Sequence, residues 1–160
     1  MGSIHKTNAI RILESKRISY QLYEYEAPEG FLDGVTVARA IGLPEEKVFK
    51  TLVTVGHSKG IHVFVIPVAA ELDLKKGAKA VKEKSLEMLP SKDITPVTGY
   101  IKGGCSPVGM KKAYPTVLDE SCRTLDRMVV SAGKIGLQME LAPVDLIELT
   151  RGETASLTKE

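Results

Sequence analysis

The residues with the clearest chemical potential lie in one short stretch, Gly99-Tyr100-Ile101-Lys102-Gly103-Gly104-Cys105-Ser106-Pro107-Val108-Gly109-Met110-Lys111-Lys112, which holds four glycines, one proline and three lysines. Such a composition suits neither a strand nor a helix. Paired glycines let a backbone approach a ligand closely, and successive N–H groups in such a turn can cradle a carbonyl oxygen, an oxyanion or a phosphate. The same residues also fit an ordinary glycine-rich loop, and composition leaves both readings open. Lys50, in Val48-Phe49-Lys50-Thr51-Leu52-Val53, has two readings as well. It can snorkel to water from an apolar strand, or it can supply a compact fixed cation for a phosphate or carboxylate.

Other common chemistries lack their signatures. The three histidines stand isolated at 5, 57 and 62, and Cys105 and Cys122 form no CxxC pair, so no zinc ligand set is expected. There is no GxGxxG after a strand, no P-loop and no GxSxG elbow. No Ser–His or Cys–His arrangement is recognisable that would give a protein nucleophile its base. His57 reads as a turn residue. His62 reads as a strand residue, either at the surface or satisfied within the fold.

The elements that must position these residues follow from pattern. A first amphipathic helix runs from Ile4 to about Arg17, with Thr7 or Asn8 available as its cap. Residues 18–25 form a strand, 36–41 a short helix stopped by Gly42, and Pro44 opens another short helix. Residues 50–55 and 61–67 are two β-rich runs around the four-residue loop His57-Ser58-Lys59-Gly60, the pattern of a hairpin. A solvent-facing helix over 73–81 and a helical turn over 91–97 follow. Strands are expected at 116–119, 128–131 and 137–141, a last helix at 143–150, and a frayed tail from Glu153. This order lacks regular βαβ alternation, so the expected fold is α+β: a single domain over 1–160, core about 8–150, with a mixed, curved, barrel-like sheet and flanking helices.

Composition narrows the function. Apolar residues make up 43% of the chain and charged ones 26%, a balance that builds a globular core without disulfides. The longest apolar run, residues 61–70, contains His62 and Pro67 and is far below the roughly 20 residues of a membrane span. No secretory signal is recognisable, and the expected location is the cytoplasm. A net charge of +2 is small for an autonomous DNA or RNA binder, so any RNA contact should be local and weak.

Several separated stretches together resemble the YbaK/EbsC family. They are Glu24-Tyr25-Glu26, Val48-Phe49-Lys50-Thr51-Leu52, Ile66-Pro67-Val68-Ala69, Leu72-Asp73-Leu74-Lys75-Lys76, Thr98-Gly99-Tyr100, the run from Gly103 to Lys112, Val130-Ser131-Ala132-Gly133-Lys134 and Gly136-Leu137. The likeness runs from about residue 8 to about residue 150, in order. It implies an aminoacyl-tRNA deacylase related to the editing domain of prolyl-tRNA synthetases, acting on cysteine mischarged on the proline tRNA, without metal or organic cofactor. Implied partners are the acceptor end of the aminoacyl-tRNA and a prolyl-tRNA synthetase, with no DNA and no membrane.

The resemblance also implies the site. Lys50 matches the family's essential lysine, and Gly103, Gly104, Cys105, Ser106 and Pro107 form its GxxxP loop. Tyr25 and Ser106 match pocket residues, and Phe49 joins the substrate-binding set beside Lys50. Two positions depart from the pattern: Gln138 stands where Asp is common, and Cys105 where an aliphatic residue is usual. Backbone amides of the loop would face the ester carbonyl, Lys50 would meet the terminal phosphate or ribose, and the substrate's own thiol would attack its ester. The competing readings are water-mediated hydrolysis of another small aminoacyl group such as alanyl, and a catalytically silent binding module, for which Gln138 is the hint.

Overall fold

The computed structural model describes residues 6–28, 30 and 32–160, arranged as an α+β fold of two sheets with helices on their flanks. Helix α1 (Asn8–Ser15) opens it. Thr7 caps this helix by accepting a hydrogen bond from the Ile10 amide, and Ala9, Ile10 and Leu13 form its buried stripe. The expected start at Ile4 lies outside the described residues. Strand β1 (Gln21–Glu24) is shorter than the expected 18–25 run. Helix α2 (Gly34–Ile41) begins at the cap Asp33 and stops at Gly42, which adopts φ 73°. Pro44 caps a single 3-10 turn, Glu45–Lys47.

Strands β2 (Phe49–Gly56) and β3 (Ile61–Pro67) form the expected hairpin, with Phe49 opposite Pro67 and Lys50 opposite Ile66. Val63, Phe64, Val65 and Ile66 are all fully buried. That burial follows from position, since β3 lies between β2 on one side and β5 (Thr116–Asp119) on the other. A central strand with both faces covered shows a continuous apolar run instead of alternation. Helix α3 (Leu74–Val81) leads into β4 (Leu86–Met88), a short strand the sequence pattern does not announce. Helix α4 (Ile94–Thr98) tolerates Pro96 because its first turn needs no internal N–H donor there.

Strands β6 (Met128–Lys134) and β7 (Leu137–Leu141) pair antiparallel and, with β1, make the three-stranded sheet β1-β7-β6. The larger sheet has the order β4-β2-β3-β5-β8 and mixes antiparallel pairs with the parallel pairs β3/β5 and β5/β8. A parallel bridge from Val48 to Val129 links the two sheets at the start of β2. The curvature expected from sequence is therefore two sheets joined near one corner, without the closure of a barrel.

The C-terminus corrects the sequence reading. After α5 (Pro143–Thr150), residues expected to fray form β8 (Glu153–Ala155), parallel to β5. Leu157 is fully buried, its amide donates to Asp119 Oδ1 at 3.1 Å, and its carbonyl accepts from the Asp73 amide at 2.7 Å. Ala155 and Leu157 in an otherwise polar tail are too few to announce an element, yet Leu157 completes the cluster of Phe64, Ile66, Leu72, Leu86 and Val117, with Ala155 packed against it. A second cluster packs α1 against β6 and β7 through Leu13, Val130, Met139 and Leu141. A third, Ala38, Val48, Val68 and Val129, lies beneath the start of α2 and at the junction of the sheets.

Candidate functional site

At that junction a cavity of about 290 Å³ opens, lined by Tyr25, Phe49, Lys50, Gly103, Cys105 and Gln138 together with Leu32, Asp33, Gly34, Val37, Val48, Thr51, Val68 and Ser131. Residues from seven separate stretches of the chain thus meet in one place. Phe49 is buried at the head of β2, whereas Lys50 is half-buried beside it. Burial pushes the Lys50 ammonium below the usual lysine range, against the opposing pull of the Glu71 carboxylate. Gln138 is buried in the middle of β7, between Tyr23 of β1 and Ser131 of β6. Just beyond Ser131 the β6/β7 register shifts, and the Gly133 amide donates back to Ser131 Oγ at 3.2 Å. A bulge at this point re-aims side chains next to the cavity.

The glycine-rich loop reaches the cavity because its backbone lies directly on the β6–β7 hairpin. A Cβ at Gly104 would stand 2.7–2.9 Å from backbone atoms of Lys134 and Ile135, which have no room to give. Gly103 takes φ 88°, a conformation that penalises other residues. Gly104 closes the turn by donating its amide to the Ile101 carbonyl at 2.9 Å. Behind the turn, Tyr100 Oη donates to the Val108 carbonyl at 2.6 Å, and burial raises that phenol to about 12. The loop is braced from the protein side.

The five loop residues divide by role. Gly103 and Cys105 line the cavity, and Gly104 is packed beneath them. Ser106 is fully buried and its Oγ accepts from the Val108 amide at 3.2 Å, so it fixes the loop from inside and does not line the cavity. Pro107 is not brought to it either. It lines a separate hollow behind the loop, with Lys112, Tyr114 and Arg151. Burial pushes the Cys105 thiol up to about 11, with only a small opposing hydrogen bond from Thr98. That thiol is neutral at physiological pH, and a thiol becomes a good nucleophile only as thiolate.

Sequence reasoning missed Leu32, Asp33, Gly34, Val37, Val48, Thr51, Val68 and Ser131 as cavity residues. Val48, Thr51, Val68 and Ser131 sit inside family-like stretches, and Asp33 is the cap before α2, so these five left a trace. His62, isolated in sequence, pairs through Nε2 with Glu83 Oε2 at 2.8 Å, while its Nδ1 is buried without a hydrogen-bond partner. Among the described residues no cluster of three or more His, Cys, Asp or Glu side chains could hold a metal ion. Also among them, no helix is long and apolar enough to cross a membrane.

Comparison with known proteins gives this geometry a context. Residues 33–149 match the model of the aminoacyl-tRNA editing domain. A protein of Enterococcus faecalis described as a candidate Cys-tRNA(Pro)/Cys-tRNA(Cys) deacylase, EbsC, is 49% identical over 153 residues, covering 96% of this chain and 93% of that protein. Among solved structures, a candidate trans-editing enzyme for prolyl tRNA synthetase superposes with a TM-score of 0.82 over 99% of this chain and all of its own, at 24% identity. A scaffold protein used to present grafted linear epitopes superposes with a TM-score of 0.84, at 26% identity and 96% coverage of both chains. The structural likeness reports the fold, while the matched model and the high identity over nearly the full length report descent: this chain belongs to the aminoacyl-tRNA editing domain family, on its YbaK/EbsC branch.

Proposed function

We propose that this protein is a trans-editing deacylase that clears cysteine mischarged on the proline tRNA, using no metal and no protein nucleophile. The observation that carries the reading is the company around Lys50. The cavity combines a half-buried cation and a glycine backbone with a cysteine whose thiol is held neutral. Among the described residues that line it there is no histidine.

An aminoacyl ester is already activated, so its cleavage needs a held substrate, a stabilised oxyanion and a nucleophile. The Gly103 turn supplies amides for the carbonyl oxygen, and Lys50 supplies a positive charge for the terminal phosphate. The substrate supplies its own sulfur. As it attacks the carbonyl carbon, a C–S bond forms and the bond from that carbon to the ribose oxygen breaks. The thiol proton ends on the ribose hydroxyl, and the amino acid leaves as a four-membered thiolactone that water opens. Discrimination then rests on chemistry as much as on fit, since alanine has no side-chain nucleophile and the serine hydroxyl is a far weaker one.

The reaction belongs in the cytoplasm, where charged tRNA is found, and a prolyl-tRNA synthetase is the natural source of the mischarged substrate. Release of amino acid from purified Cys-tRNA(Pro) and Ala-tRNA(Pro) tests the reading. Rapid loss of cysteine with slow loss of alanine supports it; the reverse order, or no loss from either, refutes it.

A further inference from the structure

The described residues lining the cavity include only two charged side chains, Lys50 and Asp33. The substrate end of an aminoacyl-tRNA is also bipolar, with phosphate on one side of the ester and the α-ammonium of the amino acid on the other. Gln138, the buried polar residue of β7, is an amide and brings no charge. If Lys50 serves the phosphate, the cationic pole has one partner of opposite sign among the described lining residues, Asp33.

The local structure fixes that partner. Gly34 starts α2 against the end of β3, where a Cβ would lie 2.5 and 2.6 Å from Val68 Cγ1 and Cβ. Absence of a side chain lets the helix start sit directly on Val68, a cavity residue, and Asp33, next to Gly34, lines the cavity. Asp33 Oδ1 accepts the Thr36 amide at 2.8 Å as the helix cap. A carboxylate has acceptor sites for several donors, so the cap leaves capacity for another. The cap hydrogen bonds from Thr36, aided by the nearby Arg39, hold the carboxyl below the usual carboxylate range, so it is ionised at neutral pH.

We propose that Asp33 binds the α-ammonium of the aminoacyl group and so orients the ester in the cavity; the assignment rests on the deacylase reading above. With the ammonium on Asp33 and the carbonyl on the Gly103 turn, two substituents of the substrate Cα are fixed. The direction of the third, the side chain that carries the thiol, then follows.

Asp33→Asn tests this cleanly, because asparagine caps a helix as well as aspartate does and removes only the charge. Cys-tRNA and N-acetyl-Cys-tRNA, whose α-nitrogen carries no charge, are compared on both proteins. Acetylation is expected to raise the wild-type KM about tenfold, the lower range for a hydrogen bond to a charged group. Asp33→Asn should raise it equally for the free-amine substrate and leave the acetylated one unchanged. Equal loss on both substrates, or a wild type indifferent to acetylation, overturns the anchor. Equilibrium binding of an uncleavable 5′-phosphoadenosine carrying cysteine through a 3′ amide, with and without the acetyl group, reads the same contrast without turnover. A wild type that fails to cleave Cys-tRNA yet shows the contrast in binding removes the deacylase reading and keeps the anchor. Loss of the contrast in a wild type that cleaves does the opposite.

Discussion

Lys50 and Cys105 line the same cavity with opposite expectations. Lys50 is half-buried at the head of a strand and loses little packing when truncated, so Lys50→Ala should fold normally and lower deacylation about a hundredfold, the scale of removing one electrostatic stabiliser. Circular dichroism and single-turnover release of cysteine check both halves; an active variant removes Lys50 from the site. For Cys105→Ala most of the activity should remain, and no thioester to the protein should be trapped by rapid acid quench. The reason is the thiol itself, pushed up to about 11 by burial, with no histidine among the described residues of the cavity to take its proton. Lys50, Cys105 and Gln138, all named through the resemblance, line one cavity. The resemblance could not separate Gly103 and Cys105, which line that cavity, from Ser106 and Pro107, which do not. Which side of a tight turn faces the cavity depends on its packing against β6 and β7, and no local pattern encodes that.

Among the elements, the β2–β3 hairpin was the most legible, because two β-rich runs flank a four-residue loop. What clamps the loop was not legible. Glu83, just past α3, accepts from the Ser58 amide at 3.1 Å and from Ser58 Oγ, and meets His62 Nε2 at 2.8 Å. Those contacts, from Ser58 first and then His62, hold its carboxyl down at about 2. A group whose folded pKa is depressed stabilises the native state above its unfolded value and loses that contribution as pH falls through the folded one. Glu83→Gln should therefore melt several degrees below wild type at neutral pH. The gap should close between about pH 4.5 and pH 2, as thermal denaturation at stepped pH will show; a gap independent of pH would mean that the charge plays no part. At the other end of the chain, β8 brings Leu157 into a core cluster the sequence reading stopped short of. Leu157→Ala should cost about 3 kcal/mol in urea denaturation, as for other fully buried leucines, where a frayed tail would cost nothing.

For the whole molecule, the mixed fold class was readable from the order of hairpins and helices. The joining of two sheets through Val48 and Val129 was not, since a single bridge between distant strands leaves no periodic trace. That corner creates the cavity. The net charge of +2 allows few phosphate contacts, so affinity for uncharged tRNA should be weak and fall steeply with salt in a filter-binding titration; sub-nanomolar binding at physiological salt would contradict it. On the proposed reading, selection of the substrate then rests on the aminoacyl end, where the described cavity residues include two charged groups, Lys50 and Asp33, and the attacking sulfur is the substrate's own. The sharpest test compares release of the amino acid from Cys-tRNA(Pro) and from the same tRNA carrying S-methylcysteine, which keeps nearly the same shape without the thiol. Rapid release of cysteine with S-methylcysteine retained at the uncatalysed rate is the expected result; equal rates for the two would show that water, not the substrate's sulfur, attacks the ester.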